Sequence, residues 1–149
     1  MLDPDVLILR DPKEAAHKCS LTPLRGLPGI QFVEHRAERR VDAGRRILLH
    51  AEGELLSGAD ADCSLFLIDC SWRRVAKLQA RVDGEPVLRR LPPLVTAYPR
   101  KSSTFEDPEQ GLASVEALYA ALAILGRPRP ELLAGYRWAD EFLRLNPGL

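Results

Sequence analysis

Cysteine, net charge and long apolar runs are all scarce in this 149-residue chain, and each shortage excludes something. There are three cysteines, Cys19, Cys63 and Cys70. An odd number without a framework spacing builds no disulfide scaffold and reads as reduced thiols in the cytosol. A zinc site needs about four ligands. Three scattered histidines add no paired ligand spacing, and His17-Lys18-Cys19 is at most half a site, so no metal is expected. Lys and Arg number 21, as do Asp and Glu, leaving a net charge of zero. That removes a global pull toward nucleic acid but not a local basic face. No apolar run approaches the roughly 18–20 residues that cross a bilayer. The start, Met1-Leu2-Asp3-Pro4-Asp5, is acidic and leads into a strand, which is not a signal-peptide pattern. No membrane association is expected, and a cytoplasmic location is. Also missing are G-x-G-x-x-G after a strand, G-x-x-x-x-G-K-[ST] and G-x-S-x-G, so a dinucleotide site, a P-loop and a nucleophile elbow are unsupported.

What is present points to a packed fold. Apolar residues make up 46%, more than a disordered chain carries. The length suits one domain, or two small lobes sharing a core. Val6–Leu9, Ile30–Val33, Ile47–His50 and Leu65–Ile68 are short apolar runs between polar or turn residues, and they read as buried strands. Leu94–Ala97 reads as a fifth. Glu34 to Arg46 is charged, and reads as a solvated helix or loop. Leu56–Asp60 suggests a helical turn with Ser57 at its N-cap. Leu112–Leu125 is rich in Ala and Leu and ends at Gly126 and Pro128, which predicts a core helix. Pro130 opens a last helix. Strands interleaved with short helices, then helix only, predict an α/β fold. The expected sheet is mostly parallel, with an N-terminal α/β lobe over 1–90 and a mainly helical lobe over 91–149 that share one site.

The stretch Ser64 to Trp72 is the most informative. An apolar strand delivers Asp69 and Trp72 together to what should be the carboxyl edge of the sheet, where open α/β sheets bind ligands. Asp69 reads either as a catalytic acid or as a cap on the next helix. Glu116 interrupts an otherwise apolar helix, and a buried acid needs a partner. From Arg73 to Lys101 eight basic residues face two acidic ones, a local charge of +6 in a neutral protein.

These pieces, in order, resemble a known family. Asp69-Cys70-Ser71-Trp72, Arg90 to Pro99 and Leu112-Ala113-Ser114-Val115-Glu116-Ala117 are similar to the aminocarboxypropyltransferases that modify small-subunit ribosomal RNA. So are Asp11-Pro12-Lys13, Lys18-Cys19-Ser20 and Trp138 to Asn146, the last with Ala139 where the family has glycine. Asp-x-Ser-Trp and Leu-Ala-Ser-Val-Glu-Ala also look like the related DTW-domain tRNA-uridine aminocarboxypropyltransferases, and Ser103-Thr104-Phe105 falls where those carry a Ser-x-Tyr loop. The chain departs from the ribosomal pattern after Thr96, where that family's asparagines are absent.

The resemblance implies a SPOUT-like fold with a deep trefoil knot, S-adenosylmethionine as donor, RNA as partner and a monomer. The group moved is the 3-amino-3-carboxypropyl chain, transferred to a (pseudo)uridine-type base, with rRNA the first expectation. It implies that Trp72 packs on the adenine or the methyl-sulfonium centre and that the Ile68 carbonyl meets the ribose. Leu49, Leu91, Leu112 and Ala117 would form apolar walls, and Ser20 would contact the donor carboxylate. Asp69 would act as general base or hold the donor ammonium, and Glu116 would hold the amine or brace a loop. The Arg73–Lys101 stretch, Arg89 and Arg90 included, would face RNA phosphates. A tRNA-uridine enzyme, a SPOUT-type methyltransferase and a non-catalytic RNA-binding relative are the alternatives.

Overall fold

A computed structural model describes residues 1–13, 20–99 and 112–149. His17, Lys18, Cys19, Arg100, Lys101 and the Ser103–Phe105 loop lie outside the described residues. The strands are β1 (Val6–Arg10), β2 (Ile30–Glu34), β3 (Val41–Asp42), β4 (Ile47–Leu55), β5 (Leu65–Asp69), β6 (Val82–Asp83) and β7 (Val87–Arg90). The α-helices are α1 (Val75–Gln79), α2 (Ser114–Ile124) and α3 (Ala139–Leu145). Five strands form one parallel sheet in the order β2-β1-β5-β4-β7, and β3 pairs with β6. The expected mostly parallel sheet is therefore observed.

Both faces of the sheet are covered, which is why β1 reads as a continuous apolar run rather than an alternating one. The strand period of two sends Val6, Ile8, Leu65 and Leu67 to one face. There they pack with Val115, Leu118 and Leu122 of α2 and with Phe142 of α3. Leu7, Leu9, Leu48 and Phe66 go to the other face, against Leu78 of α1. Full burial of each such side chain contributes about 1.5–3 kcal/mol.

The strand order turns about β1, which has β2 on one side and β5 on the other. Ligands of open α/β sheets bind at the carboxyl ends of strands at such a reversal. Arg10 and Asp69 end β1 and β5 and are register partners there.

Three expectations need correction. Leu94–Ala97 is not a strand; residues 91–97 are irregular. The remaining strand of the five-stranded sheet is instead β7, Val87–Arg90, just upstream. The charged segment 34–46 is neither a helix nor only a loop, because Val41–Asp42 pairs with β6. The last predicted helix is two pieces, a 3-10 turn at Pro130–Leu133 and then α3.

β4 and β7 pair irregularly, with a register shift between Leu49 and Glu54. Gly53 sits where the backbones meet, and a Cβ there would lie 2.4 Å from the Arg89 nitrogen. Only glycine permits that approach.

Candidate active site

Asp69 is the last residue of β5 and is 7% exposed. On the face that carries α2, its Oδ2 lies 4.0 Å from the Arg10 Nε, and its Oδ1 accepts from the Ser114 hydroxyl at 3.5 Å. The 3-10 turn that follows, Trp72–Arg74, takes its N-cap from Ser71 and has no side-chain cap.

Trp72 is 50% exposed, so it is not a core tryptophan. The Arg73 guanidinium lies over its ring at 5.6 Å. Its turn is held from below. Asp11, fully buried, binds the Arg74 guanidinium through both carboxylate oxygens and accepts the Lys13 N–H at 3.0 Å. Burial by itself would raise the Asp11 pKa. The hydrogen bond from Arg74, the Lys13 N–H and the charges of Arg74 and His35 outweigh it and hold the carboxyl below its ordinary value.

Leu49, Leu91 and Leu112 are half-buried and pack on the α2-side core. Ala117 is half-buried on α2. Ile68 is half-buried and packs on the opposite face, against the second core cluster.

Ser20 turns out to brace α2. Its hydroxyl accepts the Val115 N–H at 3.0 Å. Ala113, at the N-cap position, has no acceptor on its side chain, so Ser20 supplies that cap from a distant part of the chain. The bond uses a lone pair and leaves the Ser20 O–H able to donate.

Glu116 is fully buried. Its Oε1 accepts from the Thr96 hydroxyl at 2.6 Å and from the Ala113 N–H at 2.9 Å. Its Oε2 accepts from the Ala97 N–H at 2.9 Å. The geometry assigns Glu116 to bracing rather than to the donor amine, which corrects its place among the donor-binding residues. Asn146 completes the brace. Its Oδ1 accepts the Val95 N–H and its Nδ2 donates to the Val95 carbonyl, both at 2.8 Å. Nearby, Tyr98 and Tyr136 meet the Trp138 ring edge-on. Burial, then the Glu116 charge, push the Tyr136 hydroxyl pKa well above the usual tyrosine value.

The basic stretch is less uniform than its sequence. Arg74 is committed to Asp11. Arg89 pairs with Asp60 at 3.2 Å and is a fold contact, not a free phosphate ligand. Arg73, Lys77, Arg81 and Arg90 are exposed.

Sequence reasoning missed one residue. Arg10 is 5% exposed, and its Nη1 and Nη2 are buried without a hydrogen-bond partner among the described residues. It is the fifth residue of an apolar run, and its charge marked it only as the end of a strand. Among the described residues no group of three or more His, Cys, Asp or Glu could hold a metal ion.

An acid and an exposed indole thus stand together at the reversal of a parallel sheet, on a core whose α2 face carries half-buried leucines. Residues 47–149 match the family model described as ribosome biogenesis protein, C-terminal. The chain belongs to this family. Among its relatives, a 16S rRNA aminocarboxypropyltransferase of Halobacterium salinarum is 42% identical over 114 residues, covering 75% of this chain and 65% of that protein. One of the same name from Vulcanisaeta distributa is 36% identical over 85 residues, 55% of this chain and 44% of that one. The chain thus aligns with about two thirds or less of the length of these relatives. The solved structure of the SAM-dependent rRNA:acp-transferase Tsr3 from Vulcanisaeta distributa superimposes with a TM-score of 0.73 at 28% identity, over 96% of this chain and 78% of that one. The likeness to this solved structure extends over nearly the whole chain.

Proposed function

We propose that this chain transfers the 3-amino-3-carboxypropyl group of S-adenosylmethionine to a (pseudo)uridine-type base of RNA, with rRNA as the acceptor. The observation that carries the reading is the pairing of a shielded acid, Asp69, with a half-exposed indole, Trp72, three residues later at the carboxyl end of a central strand. The named relatives and the solved neighbour support the same reaction. The resemblance in sequence adds a finer expectation to this reading, a deep trefoil knot of the SPOUT type.

The donor supplies an electrophilic carbon next to a sulfonium. The acceptor nitrogen bonds to the γ-carbon of the amino-acid arm, the carbon–sulfur bond breaks, and its electron pair leaves with methylthioadenosine. Trp72 offers an aromatic face to the sulfonium, and Leu49, Leu91, Leu112 and Ala117 wall the adenine. All three carbons on the sulfur are electrophilic, so orientation of the arm selects the product. Asp69 takes the acceptor proton, a role typically worth about 10²–10⁴ in rate. Exposed Arg73, Lys77, Arg81 and Arg90 position phosphates, so RNA affinity should fall with salt.

Two variants test the site. W72A should lower S-adenosylmethionine affinity at least about 10-fold while changing thermal stability little, because the indole is half exposed. D69N should keep donor binding but lose about 100-fold or more in transfer. Full transfer activity in D69N would overturn the assignment of the base.

A further inference from the structure

Arg10 is a charged group that the fold buries without satisfying. Its side chain leaves the end of β1 on the α2 face, the face shared by Val6 and Ile8. The guanidinium has five donors. Only its Nε approaches an acid, Asp69 at 4.0 Å, which is beyond a hydrogen bond. Among the described residues, Nη1 and Nη2 are buried with nothing to donate to. The other acid in register is Glu34 of β2, but its carboxylate is exposed and lies 3.8 Å from Arg36. A buried, unpaired polar group costs about 1–3 kcal/mol, and more when it is charged. A fold keeps such a group most readily where a ligand completes it.

We propose that Arg10 receives the carboxylate of the donor's amino-acid arm. The inference rests on the donor assignment above and adds a residue to it. The chemistry is matched on three sides. A planar carboxylate accepts two parallel N–H bonds from a guanidinium, and Arg10 has two terminal nitrogens with free donors. The first turn of α2, an 11-residue helix whose Ser114 reaches Asp69, presents its positive end to the same place. Ser20, fixed on the Val115 N–H, keeps a hydroxyl proton to donate. Asp69, beside the same strand end, takes no part in holding the arm and faces the acceptor as the base assigned above. Burial of the guanidinium favours this small carboxylate over an RNA phosphate, which arrives on a bulky backbone. Held at its carboxylate, the arm is fixed along the strand ends, and its γ-carbon rather than the methyl is presented.

Calorimetry on the full chain tests this with three probes. S-adenosylmethionine has the carboxylate, decarboxylated S-adenosylmethionine lacks only that group, and methylthioadenosine lacks the whole arm. R10M should weaken S-adenosylmethionine about 10- to 100-fold and change the other two by less than about threefold. R10K, which keeps the charge but not the fork, should fall between wild type and R10M. Retained methylthioadenosine binding shows that the variant is folded. Wild-type affinity of R10M for S-adenosylmethionine overturns the Arg10 assignment and leaves the donor assignment standing, as do equal losses on all three probes in R10M and R10K. A wild-type chain that binds none of the three overturns both.

Discussion

Asp11 and Asp69 lie at the ends of neighbouring strands and one residue out of register, which sends them to opposite faces of the sheet. Asp69 meets the site. Asp11 is spent on Arg74 and so on the turn that carries Trp72. Because the Asp11 pKa is depressed in the fold, the folded state binds its proton less readily than the unfolded chain. The stabilisation is present above the ordinary value of 3.8 and is lost as pH falls through the lower folded value. D11N should therefore be less stable than wild type near neutrality and should show a shallower acid limb in urea denaturation followed against pH. An unchanged limb would remove Asp11 from this role. At this scale the sequence was legible where residue types were unusual for their surroundings. Asp69, Trp72 and Glu116 stood out in apolar or basic context. Arg10 did not, because its role depends on a partner 59 positions away in the chain, and Ser20 was marked only by the resemblance, its bond to α2 spanning 95 positions.

The elements were readable where hydrophobic period and length agreed. Val6–Arg10, Leu65–Asp69 and α2 lie where the apolar runs placed them, and the Ser57 cap is present, with Asp60 closing the capping box. Leu94–Ala97 failed for a physical reason. Its backbone groups are taken by side chains, Ala97 N–H by Glu116 and both Val95 groups by Asn146, so they are not offered to a strand. β7 was hidden because Val87-Leu88 is short and Arg89-Arg90 looked like surface. Its pairing with β4 depends on Gly53, a long-range fact. The Glu116 brace carries a prediction at this scale. E116A leaves three donors unsatisfied and should cost about 3–5 kcal/mol in denaturant unfolding. E116Q retains one acceptor oxygen and should cost about half as much. A loss under about 1 kcal/mol for E116A would contradict the brace.

For the whole molecule, one apolar cluster joins β1, β4 and β5 to α2 and α3, so the sheet and the C-terminal helices build the candidate site together. Arg127 adds a polar tie, donating to both Asp5 oxygens at 2.9 and 3.0 Å across the chain's length. Composition announced an α/β fold but was silent on which strands would be central. That follows from the order β2-β1-β5-β4-β7, which no single stretch encodes. The reversal about β1 is what brings Asp69 and Trp72 together as the candidate site. The central claim is that this site moves the amino-acid arm and not the methyl group. The direct measurement is incubation of the chain with RNA and S-adenosylmethionine labelled either in the carboxyl carbon or in the methyl. The account predicts that carboxyl label enters RNA and methyl label leaves as methylthioadenosine. Methyl label in RNA without carboxyl label would contradict it.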